Sequence, residues 1–138
     1  MNAVVLQLDL AWHDRAANHR KAREMLAAHR PARGDIVVLP EAFPVGFSMQ
    51  IDQIADREGE TDLFVEQLAR EHGVWVIAGN MIKPDERGRN VALVASPDGK
   101  IVGRYEKCHA FTPAGEHEKY GVGDDVLIVD IAGVKVSP

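Results

Sequence analysis

The segment 35–41, DIVVLPE, predicts a β-strand that is buried on both faces and ends at an acid. Four consecutive apolar residues, with β-branched side chains among them, are typical of a central strand in a parallel sheet. Because successive side chains of a strand point to opposite faces, we expect Glu41 to share an apolar face with Val37 and Leu39. A carboxylate there is costly unless it is paired or takes part in chemistry. Glu41 is therefore a candidate functional residue; the alternative is a glutamate that simply emerges into a loop.

The remaining pattern predicts an α/β domain with the element order βαβαββ followed by a β-hairpin. Asp14 can cap the first helix, Gly73 is placed to end the second, and Pro97-Asp98-Gly99 is a good hairpin turn. We expect one sheet with helices packed on a face, within a single domain over residues 1–138. The predicted strands span residues 4–10, 36–41, 74–78, 91–95, 101–107, 126–131 and 134–136, and the helices run from Asp14 to about His29 and from Thr61 or Asp62 to Gly73.

Apolar residues at helical spacing mark the faces by which the two predicted helices pack. The connection after the second strand, residues 42–47, is apolar for a loop, which predicts that it lines a site. The helix stripes are Ala22, Met25 and Leu26 in the first helix and Phe64, Val65, Leu68 and Ala69 in the second.

Composition and charge limit the classes of protein to which this chain can belong. Its 138 residues, 46% apolar and 27% charged, suffice for one domain with a modest core, and their balance is unlike that of a disordered or membrane protein. A net charge of −5 without a basic block argues against nucleic acid or anionic lipid as a partner. No apolar run approaches the roughly 20 residues of a membrane span, and the start lacks the basic region of a signal peptide. The single cysteine, Cys108, excludes an internal disulfide, so we expect a cytoplasmic protein.

Lys107 and Cys108 lie at the end of the fifth predicted strand and could both carry chemistry. Lys107 shares a strand face with Tyr105, and a lysine at a strand end can hold an oxyanion; the alternative is a surface lysine whose stem covers apolar neighbours. Cys108 is the only thiol, yet strand alternation puts it on the opposite face with Glu106 unless a bulge intervenes. We therefore interpret Cys108 as a structural thiol.

The loop after Pro113 contains the triplet Glu116-His117-Glu118, and either acid could sit near Lys107 and hold it in place. As metal ligands the triplet lacks a second pair of donors at suitable spacing, so we predict no metal site. Neither the glycine patterns of phosphate-binding loops nor the Gly-x-Ser-x-Gly motif of esterases occurs in the chain. These observations argue against a nucleotide-binding domain, and we expect no cofactor.

The sequence stops at Pro138, inside a predicted strand of the last hairpin. A domain rarely ends there, because the last strand would leave an unpaired edge. We therefore expect the chain to be a fragment of a longer protein; an ordinary frayed terminus is the alternative.

Three short motifs follow one another along the chain. They are Leu39-Pro40-Glu41-Ala42-Phe43 with Gly46-Phe47, then Tyr105-Glu106-Lys107-Cys108-His109-Ala110-Phe111, then Gly115-Glu116-His117-Glu118-Lys119-Tyr120 with Gly123. Together with the first strand and the helix that bears Asn18, they resemble the nitrilase superfamily of carbon–nitrogen hydrolases, most closely its omega-amidase branch. The resemblance covers essentially all 138 residues, and three motifs at family-like spacing are specific although each is short.

The resemblance implies a four-layer αββα sandwich, of which this chain forms the N-terminal half, and a Glu–Lys–Cys triad. It implies that Glu41 is the general base and Lys107 the oxyanion-stabilising lysine. A second glutamate, which orients the lysine and the substrate, falls on Glu116, with Glu118 as the alternative. The nucleophilic cysteine of the family follows a strand like the last one here, so we expect the chain to be truncated before the nucleophile.

The resemblance also implies the reaction, which is hydrolysis of small ω-amides of dicarboxylic or 2-oxo acids through a cysteine thioester. Phe43 and Phe47 are expected to bind the substrate at the near wall of the pocket, and the family usually forms homodimers. A different reading remains open, in which the chain is a truncated, non-catalytic relative that acts as a binding or dimerisation module. The gene sequence beyond the codon for Pro138 distinguishes the two readings.

Overall fold

The computed structural model describes residues 1–138 as a mixed sheet with helices packed on one face. Its elements are β1 (Ala3–Val5), α1 (Arg15–His29), β2 (Ile36–Val38), α2 (Ile51–Ile54), α3 (Glu60–His72), β3 (Trp75–Ile82), β4 (Gly88–Ala95), β5 (Ile101–Glu106), a 3-10 turn (Thr112–Ala114), α4 (Glu116–Lys119), β6 (Tyr120–Gly121), β7 (Val129–Ile131) and β8 (Val134–Val136). The strand order is β1-β2-β3-β4-β5, parallel from β1 to β3 and antiparallel from β3 to β5, with β6 paired to β4 in parallel. The predicted α/β class and the order βαβαββ with a final hairpin are confirmed, and α2, α4 and β6 are additions.

Side-chain and glycine caps fix the ends of the two long helices. The Asp14 carboxylate accepts a backbone N–H of the first turn of α1 at 2.9 Å, as predicted. Helix α3 begins at Glu60, slightly before the predicted start, because the Asp56 carboxylate accepts the backbone N–H groups of residues 59–61 at 2.8–3.0 Å. Gly73 ends α3 with a φ of 64°, as predicted. No helix in the structure is both long and apolar enough to cross a membrane.

The main core lies between the sheet and helices α1 and α3 and contains 18 buried apolar residues. The predicted stripe of α3 is confirmed, since all four of its members are buried. In α1, Ala22 and Leu26 are fully buried, whereas the prediction that Met25 belongs to the packed face of the helix is wrong. Met25 is 38% exposed because it lies at the rim of the packed face, beside the open edge of β1.

The opposite face of the sheet is covered only in part. The hairpin β7–β8 packs Ile131 against Ile36, Ile77 and Val94 of the central strands. The hairpin was predicted, although its first strand begins at Val129 and not at residue 126. Beside it, the apolar surface of the sheet borders an open cavity of about 360 Å³.

Candidate active site

Glu41 lies in the turn that follows β2, and not on the strand itself. The last hydrogen bond to β3 runs from Leu39 N to Ile77 O at 2.8 Å, and the next residue, Pro40, has no N–H to extend the pairing with β1 on the other side. The prediction that Glu41 shares a buried face with Val37 and Leu39 is therefore wrong. Its side chain is 52% exposed and borders the cavity.

Two backbone features hold this turn against the sheet. Ala42 is fully buried with a φ of 51°, a conformation that a residue with a side chain adopts only when its surroundings enforce it. Gly79 of β3 lies so close that a Cβ on it would be 2.5 Å from Ala42 N and 2.7 Å from Pro40 O. The glycine therefore permits the turn that carries Glu41 to rest directly on β3.

Lys107 follows β5 and brings its ammonium group to Glu41. Its backbone N–H donates to Asn90 O at 2.9 Å, which fixes the start of the side chain next to β4. Its Nζ lies 2.8 Å from Glu41 Oε1 and 3.0 Å from Glu116 Oε2, and 5.0 Å from the centre of the Phe47 ring. Burial alone would lower the pKa of Lys107, but its hydrogen bonds and charge interactions with the two glutamates outweigh burial and raise that pKa. The ammonium group is therefore held charged between two carboxylates.

Of the two acids in the predicted triplet, the structure brings Glu116 to the cluster and leaves Glu118 exposed outside it. The Glu116 side chain is only 1% exposed. Its Oε2 also accepts the backbone N–H of Phe111 at 2.6 Å, and its Oε1 accepts from Asn90 at 3.0 Å. Burial alone would raise the pKa of Glu116, but these hydrogen bonds, together with Lys107, lower it.

Asn90 completes the cluster, and the sequence analysis missed it. This residue of β4 is 5% exposed, and its Nδ2 donates to Glu41 Oε1 at 2.6 Å as well as to Glu116. The available signal was a polar residue directly before the apolar run 91–95, on the face that also carries Ala92.

A buried tyrosine and an arginine support the short helix that carries Glu116. Tyr120 is almost fully buried and donates to Ser48 O at 2.5 Å. Burial and the nearby charge of Glu116 raise the pKa of Tyr120, so its hydroxyl stays neutral. Arg87 donates to the carbonyl oxygens of His117 and Tyr120 at the end of α4. These contacts hold a four-residue helix that is too short to persist alone.

The two predicted substrate-binding aromatic residues have separate positions. Phe47 lies over the ammonium group of Lys107, next to the cluster. Phe43 is fully buried in the main core, 5.6 Å from the His19 ring and 6.0 Å from the Phe64 ring between centroids. The expectation that Phe43 lines the pocket is therefore wrong in this structure.

Cys108 does not join the cluster. Its Sγ lies 3.6 Å from Glu106 O and 3.5 Å from Asp125 O, and the residue is not part of the cavity wall. It has no hydrogen bond to Glu41 or Lys107. The interpretation of Cys108 as a structural thiol agrees with this position.

The cluster combines groups that suit acyl transfer. A carboxylate with access to the cavity can move a proton, and a fixed ammonium group can stabilise an oxyanion. Most of the other residues that line the cavity are apolar, and Pro138 lines the cavity together with Glu41 and Lys107. Nowhere in the structure do three or more His, Cys, Asp or Glu side chains meet as a metal site requires.

Comparison with known proteins links this sequence to a family. A family profile described as carbon-nitrogen hydrolase matches residues 2–137. The 2-oxoglutaramate amidase of Bacillus subtilis is 28% identical over 135 residues, which cover 96% of this chain and 52% of that protein. The omega-amidase YafV of Yersinia enterocolitica is 30% identical over 138 residues, which cover 100% of this chain and 53% of that protein. The chain thus spans about half the length of the curated relatives it matches.

Solved structures of related proteins also match nearly the whole of this chain and about half of their own length. A CN-hydrolase superfamily protein of Xanthomonas campestris, with an arsenic adduct in its active site, has a TM-score of 0.89 at 31% identity and matches 99% of this chain and 51% of its own. An amidase from Nesterenkonia sp. shares the fold at 17% identity, with a TM-score of 0.83 over 98% of this chain and 53% of its own.

Proposed function

Because this chain belongs to the carbon–nitrogen hydrolase family, as its motifs predicted, we propose that Glu41, Lys107 and Glu116 form part of an amidase active site. Residues 1–138 are then the N-terminal part of one hydrolase domain. The observation that carries the proposal is one ammonium group held between two carboxylates at the edge of an apolar cavity.

In the proposed reaction a cysteine thiol attacks the amide carbon while Glu41 takes the thiol proton. Lys107 stabilises the negative oxygen of the tetrahedral intermediate. The C–N bond then breaks, Glu41 passes its proton to the departing ammonia, and a thioester remains. Glu41 next removes a proton from water, which hydrolyses the thioester to the acid and releases the thiol.

The residues that line the cavity support a position for the proposed nucleophile. The thiol of Cys108 lies next to backbone carbonyl oxygens outside the cavity, so Cys108 is not the nucleophile in this proposal. Pro138 lines the same cavity as Glu41 and Lys107. A thiol carried by a residue directly after Pro138 would therefore lie beside both groups, in agreement with the family pattern.

The proposed substrates are small ω-amides of dicarboxylic or 2-oxo acids. Support comes from relatives named 2-oxoglutaramate amidase and omega-amidase, which match nearly the whole of this chain. Phe47, over Lys107, is the aromatic residue that we assign to the wall of the substrate site.

We place the active protein in the cytoplasm as a homodimer, without a nucleic acid or membrane partner and without a cofactor. The net charge of −5 and the single cysteine of residues 1–138, together with the resemblance, support this assignment. Light scattering after size exclusion measures the mass of the particle, and a monomer would contradict the dimer.

The test begins with the natural polypeptide, which is the product of the natural reading frame from Met1 through Pro138 to its stop codon. Release of ammonia from ω-amides, lost when a cysteine just after Pro138 is replaced by serine, is the expected result. The control is Cys108→Ser in the same polypeptide, which we expect to remain active. Activity that Cys108→Ser abolishes would overturn the assignment of the nucleophile.

A second candidate function rests on the position of Cys108, because the described residues bring no thiol to Glu41 and Lys107. A stop codon directly after Pro138, together with no ammonia release, would favour the non-catalytic binding or dimerisation module.

A further inference from the structure

Asn90 joins the two acids of the site, which belong to separate loops. Its single nitrogen lies 2.6 Å from Glu41 Oε1 and 3.0 Å from Glu116 Oε1, so it donates to both carboxylates. Charged carboxylates only accept hydrogen bonds, so the amide nitrogen, and not the amide oxygen, must face them. A buried amide with this arrangement has both of its N–H groups committed to the site.

A backbone hydrogen bond also connects Asn90 with Lys107. The carbonyl of Asn90 accepts the backbone N–H of Lys107 at 2.9 Å, and Lys107 Nζ contacts the same two carboxylates that Asn90 contacts. The four residues therefore form a closed ring of hydrogen bonds and one ion pair, which joins Lys107 to Glu116. Within this ring, each carboxylate contacts one neutral donor, the Asn90 amide, and one charged group, the Lys107 ammonium.

The two carboxylates differ in how many of their oxygens the protein occupies. Glu116 uses both oxygens, since Oε1 accepts from Asn90, and Oε2 accepts from Phe111 N and forms an ion pair with Lys107. Glu41 uses Oε1 alone, which accepts from Asn90 and Lys107. No hydrogen bond from the protein reaches Glu41 Oε2, and the side chain is half exposed towards the cavity.

We propose that Asn90 is a positioning residue that fixes Glu41 through Oε1 and thereby reserves Oε2 for proton transfer. The inference rests on the proposed amidase function, because only there does Glu41 act as a base. A base needs one accessible lone pair at a fixed place, and a carboxylate held at one oxygen presents the other in a restricted direction. Both oxygens of Glu116 are occupied, which suits a residue that orients Lys107 and the substrate.

The first test measures the pKa of the Glu116 carboxyl by NMR in the natural polypeptide with labelled glutamate. Because the Asn90 amide lowers that pKa, we expect it to be higher in Asn90→Leu than in the wild type. Asn80→Leu is the matched control, since Asn80 is also fully buried but donates to Asp56, outside the ring. An unchanged Glu116 pKa in Asn90→Leu, or an equal rise in both variants, would overturn the proposal.

A measurement on the wild type covers the case in which Asn90→Leu does not fold. Both side-chain amide protons of Asn90 should exchange slowly with solvent, and their chemical shifts should move as Glu116 titrates. Rapid exchange of either proton would overturn the proposal, because it would show that one carboxylate is not bound.

Kinetics separate this inference from the function on which it rests. In an active natural polypeptide, Asn90→Leu should lower kcat by about 10- to 100-fold, the range for one hydrogen bond to a charged group, with little change in KM. This fall in kcat should occur in Asn90→Leu and not in Asn80→Leu. A wild type without amidase activity would refute the proposed function; an active wild type whose kcat is unaffected by Asn90→Leu would refute this inference alone.

Discussion

Replacing Gly79 by alanine should displace the turn that carries Glu41. The added Cβ would lie 2.5 Å from Ala42 N, 2.7 Å from Pro40 O and 2.8 Å from Glu41 Cα, where ordinary contact begins at 3.4 Å. All three are backbone atoms, so no side-chain rotation relieves the overlap. The turn must retreat by about 0.6–0.9 Å, the difference between 3.4 Å and those distances. Overpacking of this kind costs about 1–3 kcal/mol of folding free energy.

Urea denaturation of the natural polypeptide measures this loss. Gly103→Ala is the matched control, because Gly103 is also a strand glycine and the three atoms nearest to its added Cβ, the first at 2.7 Å, all belong to the Leu127 side chain and not to the backbone. We expect the control to lose less than about 1 kcal/mol. The same retreat should lengthen the hydrogen bonds from Lys107 and Asn90 to Glu41, so ammonia release should fall more in Gly79→Ala than in the control. Equal losses of stability in the two variants would refute the reasoning.

Three further results are expected. Lys107→Ala should lower kcat by about 10²–10³, the scale for one oxyanion donor, whereas Lys100→Ala, at an exposed turn, should not; a loss under tenfold would remove Lys107 from that role. Glu41→Gln should keep the fold and block formation of the thioester, which rapid-quench trapping detects; full retained activity would contradict the general-base assignment. Burial lowers the pKa of His19 to about 4 from 6.5, so the unfolded chain binds more protons between these values. Stability should therefore fall by roughly 1–2 kcal/mol, after allowance for the partial exposure of the ring, as the pH drops from 6.5 to 4. His19→Gln should flatten that dependence in urea titrations; an equally steep dependence in the variant would contradict it.

Local signals predicted most of the fold. Asp14 and Gly73 cap helices in the structure because a short polar side chain and a residue without a Cβ satisfy helix ends from the neighbouring sequence. The end of β2 was predicted wrongly, although Pro40 carries the information, since a residue without an N–H cannot continue the pairing with β1. The four-residue helices α2 and α4 escaped prediction because so short a segment has no periodicity and depends on tertiary contacts.

The site was predictable where a motif marked it and not where distant segments meet. Motifs singled out Glu41, Lys107 and the pair that includes Glu116. Asn90 contacts Glu41 across 49 positions of sequence, and nothing local to Asn90 encodes that contact. Phe43 and Phe47 lie in one apolar loop, and only the packing of the loop against the core decides which of them is buried.

The unequal exposure of the two acids links placement of the thiol to activation of the base. Free carboxyl and thiol groups differ by about 4 in pKa, so proton transfer between them in water is uphill by roughly 5–6 kcal/mol. Exclusion of water from a carboxylate favours its protonated form and reduces that barrier. The Glu116 side chain is already buried, whereas the Glu41 side chain is half exposed and borders an apolar cavity. Under the proposed function, the segment that delivers the thiol must therefore also cover Glu41. A thiol that reached Lys107 and left the Glu41 carboxylate in water would acylate slowly, even with every catalytic group in place.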